Sequence, residues 1–253
     1  MRSLQASALI LDLFDLQERD RIVTFLTSEW GKKRGVARGA RAKYSRFAGQ
    51  LQPLARVHVQ WFEKDNRDLV RISEVALERP AVKLQESLEG ILASAYLAEH
   101  MVHFAVENEA SEHLFRLLDT TIVALLAGAD LNLATRYYEV WVLRLSGIFP
   151  VPWECPLCGQ PLETRARLLD GALICNDCAQ DAMSDQDAEL EVGAEELEFL
   201  RRSGRENLQK LSARPPSPRT LRRIERLSAR VRREFLQDEL KSYRVMQQTL
   251  AQV

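Results

Sequence analysis

The chain has 253 residues, 46% of them hydrophobic and 28% charged, with 11 glycines. It is too apolar for a disordered chain, is not collagen-like, and has too little glycine for a loop-rich all-β protein of this length. The length accommodates one or two domains built from two or three units with a real core. The longest apolar stretch, near residues 122–129, is far below the roughly 18 residues of a membrane-spanning helix. The apolar run at residues 6–14 is interrupted by Asp12 and Asp15 and lacks a cleavage site after a basic start, so no signal peptide is read and the expected location is cytoplasmic.

The formal net charge of −1 conceals segregation. Residues 1–80 carry 15 basic against 10 acidic side chains, residues 81–180 carry 6 against 13, residues 181–200 carry none against 8, and residues 201–253 carry 14 against 5. Basic ends around an acidic middle suggest that a polyanion is bound at particular faces.

In chain order, residues 4–14, 22–27, 33–40, 53–62 and 69–77 are alternating or β-branched runs, and they predict five short strands. Val57, Val59 and Trp61 alternate with His58, Gln60 and Phe62, and Glu63-Lys64-Asp65-Asn66-Arg67 then predicts a hairpin loop. Residues 44–50 are polar and fall where a five-stranded OB-type barrel commonly carries a connecting helix. Periodicity alone fits an SH3-like barrel or an open sheet equally well.

After Pro80 the period becomes helical. Leu84, Leu88, Ile91, Leu92, Ala95 and Tyr96 share one face, and Leu114, Leu117, Leu118, Thr121, Ile122 and Leu125 share another. A third helix is expected over residues 133–145, with Gly147 just past its end and Pro150 as a stop, and these helices are expected to pack together. Arg214-Pro215-Pro216-Ser217-Pro218 marks a turn or linker. Leu221, Ile224, Leu227, Val231 and Phe235 then form one stripe of a helix whose other face is dense with arginine.

The cysteines are Cys155, Cys158, Cys175 and Cys178, two C-x-x-C pairs with a 16-residue spacer. Two thiolate pairs, each bent round a tight turn and separated by about 15–20 residues, suit tetrahedral zinc. Asp170-Gly171 within the spacer is a favoured hairpin dipeptide, so a zinc ribbon with one closed, structural ion is expected. Structural disulfides are disfavoured by a reducing compartment, and a redox pair by the missing βαβ context.

Lys32, Lys33, Arg34, Arg38, Arg41, Lys43 and Arg46 follow Gly31 with no acidic residue among them, and Tyr44, Phe47 and Trp30 lie nearby. In a small barrel such a stretch would border a groove where phosphates meet cations and bases stack on aromatics. The competing reading is a solvated basic face. Arg222, Arg223, Arg226, Arg230, Arg232 and Arg233 form a second basic candidate, but Glu225, Glu234, Asp238 and Glu239 share that helix, and internal pairing suits it as well as DNA does. No Gly-x-x-x-x-Gly-Lys-Ser/Thr loop is present. His100 and His103, three apart, lack an HExxH context, and no convergent carboxylate pair suggests acid–base work, so a non-enzyme is expected.

Together these features resemble the RecO family of bacterial recombination mediators, over nearly the whole chain. The resemblance rests on Asp20-Arg21-Ile22-Val23-Thr24, Gly31-Lys32, Ala37-Arg38-Gly39-Ala40-Arg41 and Leu51-Gln52-Pro53. Later in the chain it rests on Arg136-Tyr137-Tyr138-Glu139 with Leu143 and Gly147, the four cysteines, and Leu240-Lys241-Ser242. It implies an α+β multidomain fold: an N-terminal OB-fold barrel at residues 1–80, then a helical domain at 81–150 and 183–253 with a zinc-ribbon insertion at 151–182. It also implies binding of single- and double-stranded DNA, ATP-independent annealing, and loading of RecA onto strands coated by single-stranded DNA-binding protein. The implied partners are RecR and the coating protein's acidic, apolar C-terminal tail. Arg136 and Trp141 are the tail-docking candidates, with Arg136 pairing the terminal carboxylate, and the location is cytoplasmic and nucleoid-associated. Two other readings compete: a zinc-ribbon accessory protein acting through protein contacts, and a metal-dependent hydrolase using His100 and His103.

Overall fold

The computed structural model describes residues 2–64, 68–182 and 190–250. Residues 65–67 of the expected hairpin loop lie outside the described residues. The chain divides into two compact units, the described residues of Met1–Gly128 with Leu240–Val253, and Ala129–Glu239.

In the first unit β1 (Arg2–Leu16), β2 (Asp20–Thr27), β3 (Gly31–Ala37), β4 (Arg56–Glu63) and β5 (Val70–Arg79) close a barrel in the order β1-β2-β3-β5-β4. β1 serves two partners. It pairs with β4 from Arg2↔Glu63 to Leu9↔Arg56 and with β2 from Ala8↔Thr27 to Leu16↔Asp20, and a bulge between Ile10 and Asp12 bends it from one to the other. The seam between β3 and β5 is parallel, Gly35↔Val70 to Ala37↔Ile72. A Cβ on Gly35 would stand 2.8 Å from Ile72 Cγ1 and Val70 Cγ2, so only glycine lets β5 approach there. Ile10, Val23, Phe25, Val57, Val59, Trp61 and Ile72 fill the interior, and Phe25 meets Trp61 edge-on at 5.6 Å between ring centroids.

The connection from β3 to β4 contains no helix. Residues 39–50 form successive turns, with Ala42 N donating to Gly39 O, Ser45 N to Ala42 O and Ala48 N to Ser45 O. The turns are anchored by Phe47, which is 2% exposed and packs into the barrel core.

α1 (Leu88–Phe104), α2 (Glu112–Leu126) and α8 (Lys241–Leu250) complete this unit. Ser87 caps α1 by accepting from Gly90 N. The residues after α1 close a gap in the barrel wall: Lys32 N donates to Val106 O at 3.2 Å and Asn108 N to Lys32 O at 3.1 Å. Gly31 has φ +63°, and a Cβ there would stand 1.8 Å from Glu109 O, so glycine is required for this closure. Glu99 of α1 accepts from Lys241 N at 3.1 Å and Ser242 N at 2.8 Å at the start of α8, and the Tyr96 and Tyr243 rings lie 5.6 Å apart.

The second unit holds α3 (Leu131–Leu145), β6 (Arg165–Leu169), β7 (Ala172–Ile174), α4 (Asn176–Ala182), β8 (Glu191–Gly193), α5 (Ala194–Arg205), α6 (Leu208–Ala213) and α7 (Pro218–Leu236). β6 and β7 pair across Asp170-Gly171, both at positive φ as a tight hairpin requires. β8, from beyond residue 182, adds a third strand in the order β7-β6-β8. Asp130 caps α3 and Ser217 caps α7, with Pro218 in its first turn. α1 packs on α8 in the first unit, and α3 packs on α7 in the second. Ile224, Leu227 and Val231 are buried as their stripe predicts, while Phe235 is exposed.

Candidate nucleic-acid interface and metal centre

Strand alternation sorts the basic segment. On β3, Gly31, Lys33, Gly35 and Ala37 are buried, while Arg34 is exposed and Lys32 and Val36 are partly so. Lys33 is 6% exposed and ion-paired with Glu63, whose carboxylate also accepts from Trp61 Nε1 at 3.1 Å. Burial pushes the Glu63 carboxyl up, but the hydrogen bonds from Lys33 and Trp61 and the charges of Lys33 and Arg2 outweigh it, and the group stands below its ordinary value. Lys32 donates from Nζ to Val102 O at 2.6 Å, one of the carbonyls left free by the last turn of α1. Burial lowers the Lys32 ammonium against the opposing charge of Glu107. Both lysines are therefore engaged inside the first unit.

The other candidates stand at the surface. Arg34, Arg38, Arg41, Lys43 and Arg46 are exposed, and Tyr44 is 90% exposed. Lys43 Nζ lies 5.6 Å from the Tyr44 ring centroid and the Arg46 guanidinium 4.8 Å from that of Phe47. The connection begins against the β1–β2 turn, where Gly39 N donates to Asp20 Oδ1 at 2.8 Å and Arg41 N to Arg19 O at 2.9 Å. Asp15 offsets part of this charge through Arg21 at 3.0 Å and Arg41 at 3.5 Å. Exposed Arg71, opposite Val36 across the parallel seam, adds a cation beside β3. Nothing local in the sequence marks Arg71, since that pairing joins residues 35 apart.

The four cysteine Sγ atoms lie within 4.8 Å of one another, with Cys158 and Cys175 at 3.6 Å. Four sulfurs at about 2.3 Å from a tetrahedral zinc would be about 3.8 Å apart, so the cluster fits such an ion. Gly159, at φ +72°, closes the first turn by donating to Cys155 O at 2.8 Å. Burial raises the Cys155 thiol, but backbone N–H groups of Cys175, Leu157 and Cys158 overcome this and hold it at about 6. α5 supports the turn: Arg201 donates to Pro152 O at 3.2 Å and to Leu162 O, and Arg205 lies 4.4 Å from the Trp153 ring centroid.

The two tail-docking candidates both have partners within the second unit. Arg136 is 4% exposed and ion-paired with Glu139 at 2.8 Å and Glu225 at 2.9 Å, which ties α3 to α7. A partner's carboxylate would have to displace these internal ones. Half-buried Trp141 donates from Nε1 to Ser203 O at 2.9 Å, and the Arg144 guanidinium lies 5.6 Å from its ring. Burial pulls Arg144 down to about 10, which leaves it charged at neutral pH while it donates to Leu200 O and Ser203 Oγ. Glu225, the Arg136 partner missed in the sequence, lies 89 residues away and was read only as a neutraliser of arginines on its own helix. His100 is fully buried with Nδ1 3.3 Å from Tyr96 O, whereas the His103 side chain is 46% exposed.

A closed barrel with OB strand order, joined to helices that carry a four-cysteine turn pair, defines a multidomain class built on an oligonucleotide-binding fold. Residues 1–81 match the family described as Recombination protein O N terminal and residues 85–244 the one described as Recombination protein O C terminal. Similar proteins include DNA repair protein RecO of Koribacter versatilis (strain Ellin345), 30% identical over 68% of this chain and 72% of that protein. DNA repair protein RecO of Anaeromyxobacter dehalogenans (strain 2CP-1 / ATCC BAA-258) is 33% identical over 68% and 69%. DNA repair protein RecO of Syntrophus aciditrophicus (strain SB) is 27% identical over 94% and 92%. The chain belongs to the RecO family of DNA repair proteins. Among the described residues no helix is long and apolar enough to cross a membrane.

Proposed function

We propose that this chain is a recombination mediator that binds single- and double-stranded DNA, anneals complementary strands without ATP and helps load RecA onto strands coated by single-stranded DNA-binding protein, with RecR as a partner. The observation that carries this reading is the run of exposed cations Arg34, Arg38, Arg41, Lys43 and Arg46 along β3 and the turns after it, with the exposed Tyr44 ring beside Lys43. The cations neutralise phosphates while the ring offers a base a stacking face. Annealing then needs no catalytic group: charge neutralisation lets two strands approach, and base pairing drives the rest. Such a protein acts in the cytoplasm, at the nucleoid.

Cys155, Cys158, Cys175 and Cys178 would hold one zinc ion with four thiolates and no open position. When bound, the ion staples the ribbon and does no chemistry on a substrate. For the coating protein's tail, the geometry favours a cavity in the first unit over enclosed Arg136 and half-buried Trp141. Its volume is about 780 Å³, with Phe14, Ile91, Ala95, Ala98 and Val102 as apolar walls, and its polar lining includes Lys241 and His103 as well as Asp12 and Glu99. The apolar walls would take the tail's apolar residues, with Lys241 as the partner for its carboxylates.

The test is annealing of two complementary oligonucleotides, each coated with the cognate single-stranded DNA-binding protein, with and without its C-terminal tail. Acceleration without ATP that depends on the tail is expected. No acceleration by folded, metal-loaded protein would leave the accessory-protein reading in its place. With about five phosphate contacts, single-strand affinity should follow a log–log salt slope near about −3.5.

A further inference from the structure

The arginines of α7 divide into two sets. Arg223 pairs with Glu196 at 3.6 Å, Arg230 with Glu234, and fully buried Arg232 with Glu239. The first ties α7 to α5, the second lies along α7 itself, and the third fastens the turn after it. Arg219, Arg222, Arg226 and Arg233 are exposed, and none has a described carboxylate within ion-pair distance. Glu195 feels the charge of Arg219, but its carboxylate is already bonded by Thr220 and Ser217. Glu234, at the far end, is engaged by Arg230.

The four positions are spaced by three, four and seven residues and so lie on one face of the helix. Residues 219 to 233 cover about 21 Å of helix axis. A nucleic-acid strand carries about one phosphate per 3.4 Å of duplex axis, so roughly six phosphates span that length, more than four guanidiniums need. No aromatic shares the face: exposed Phe235 follows Arg233 by two residues and points to the other side.

We infer that this face of α7 binds the sugar–phosphate backbone of a nucleic-acid strand, independently of base sequence, as a second contact surface beside the one on the barrel. The inference rests on the DNA-binding reading above and extends it. The barrel cluster, with Tyr44, engages bases as well as phosphates. α7 has only cations, and it holds a strand whose bases stay free to pair. Annealing needs a second strand held in that way.

The experiment compares the parent protein, R34A/R38A/R41A and R219A/R222A/R226A/R233A, using fluorescent oligonucleotides of mixed and homopolymeric sequence. Readouts are the salt slope of single-strand binding and the rate of protein-promoted annealing. The α7 variant should lose up to about 2.8 from the magnitude of the slope, equally for every sequence, and anneal at least about tenfold more slowly. Replacing the same four residues by lysine should restore both, since backbone contact requires charge rather than a planar fork. R226E alone, which keeps three of the four cations, serves if the quadruple variant does not fold, and a slower annealing rate is again expected. A folded variant with unchanged slope and rate overturns the inference and leaves the barrel reading intact, provided the barrel variant flattens the slope. A parent protein that binds no oligonucleotide at low salt overturns both. Loss of an acidic protein partner with DNA binding unchanged would also overturn it.

Discussion

Lys33 carries a charge that looks exposed in the sequence and is enclosed in the structure. The run Lys32-Lys33-Arg34 reads as three equivalent cations, yet strand alternation turns the middle one into the barrel, and the helix end behind β3 captures the first. Composition marked the segment correctly as basic, but the burial of these lysines depends on Glu63 and Val102, 30 and 70 residues away. Lys33→Met should therefore lower the unfolding free energy measured in urea by about 1–3 kcal/mol, because it leaves Glu63 with the Trp61 hydrogen bond and the Arg2 charge but without its ion-pair partner. The salt slope of DNA binding should stay unchanged. The folded-state pKa of Glu63 is depressed, so its stabilisation is complete above its unfolded value of about 4.3 and is lost as pH falls through the folded value. The stability gap between parent and variant should accordingly shrink on acidification. A constant gap, measured by urea titration across that range, would remove the pair as its source.

At the scale of elements, the four-cysteine motif was the most legible feature, because it is local: two tight turns and the Asp170-Gly171 hairpin determine its geometry. The third strand β8 was not legible, since three residues after a long acidic run carry no periodicity of their own. The strands were read close to their true bounds because half-buried alternation is a strong signal. The connecting turns were not, because a single buried side chain, Phe47, stands in for a helix there. Cys175→Ser should reduce bound zinc from about one ion per chain to well below it and expose the β6–β7 hairpin to protease. Metal retention in the parent should hold at neutral pH and fall on acidification, as protons compete for the four thiolates. Equal zinc content in parent and variant, measured by elemental analysis after dialysis, would contradict the four-thiolate site.

For the whole molecule, the sequence placed its main division at residue 80, where strand period gives way to helix period. By contacts, the chain also falls into two compact units that divide after Gly128 and again at Leu240, because α1, α2 and α8 group with the barrel. That grouping depends on contacts such as Glu99 with Ser242, 143 residues apart, which no periodicity encodes. Glu99→Ala should free the start of α8, at a cost of about 1–2 kcal/mol, and limited proteolysis should then cut near residue 240 before any site in the second unit. Simultaneous cutting in both would count against this anchoring. The same connectivity bears on the order in which a ribosome delivers the chain. The barrel strands and α1 emerge first, yet the helix that covers Tyr96 emerges only after the whole of Ala129–Glu239 has been made. During that interval the unfinished face of α1 is available to chaperones, and the cysteine unit can take up its metal and fold while the first unit is still waiting for α8.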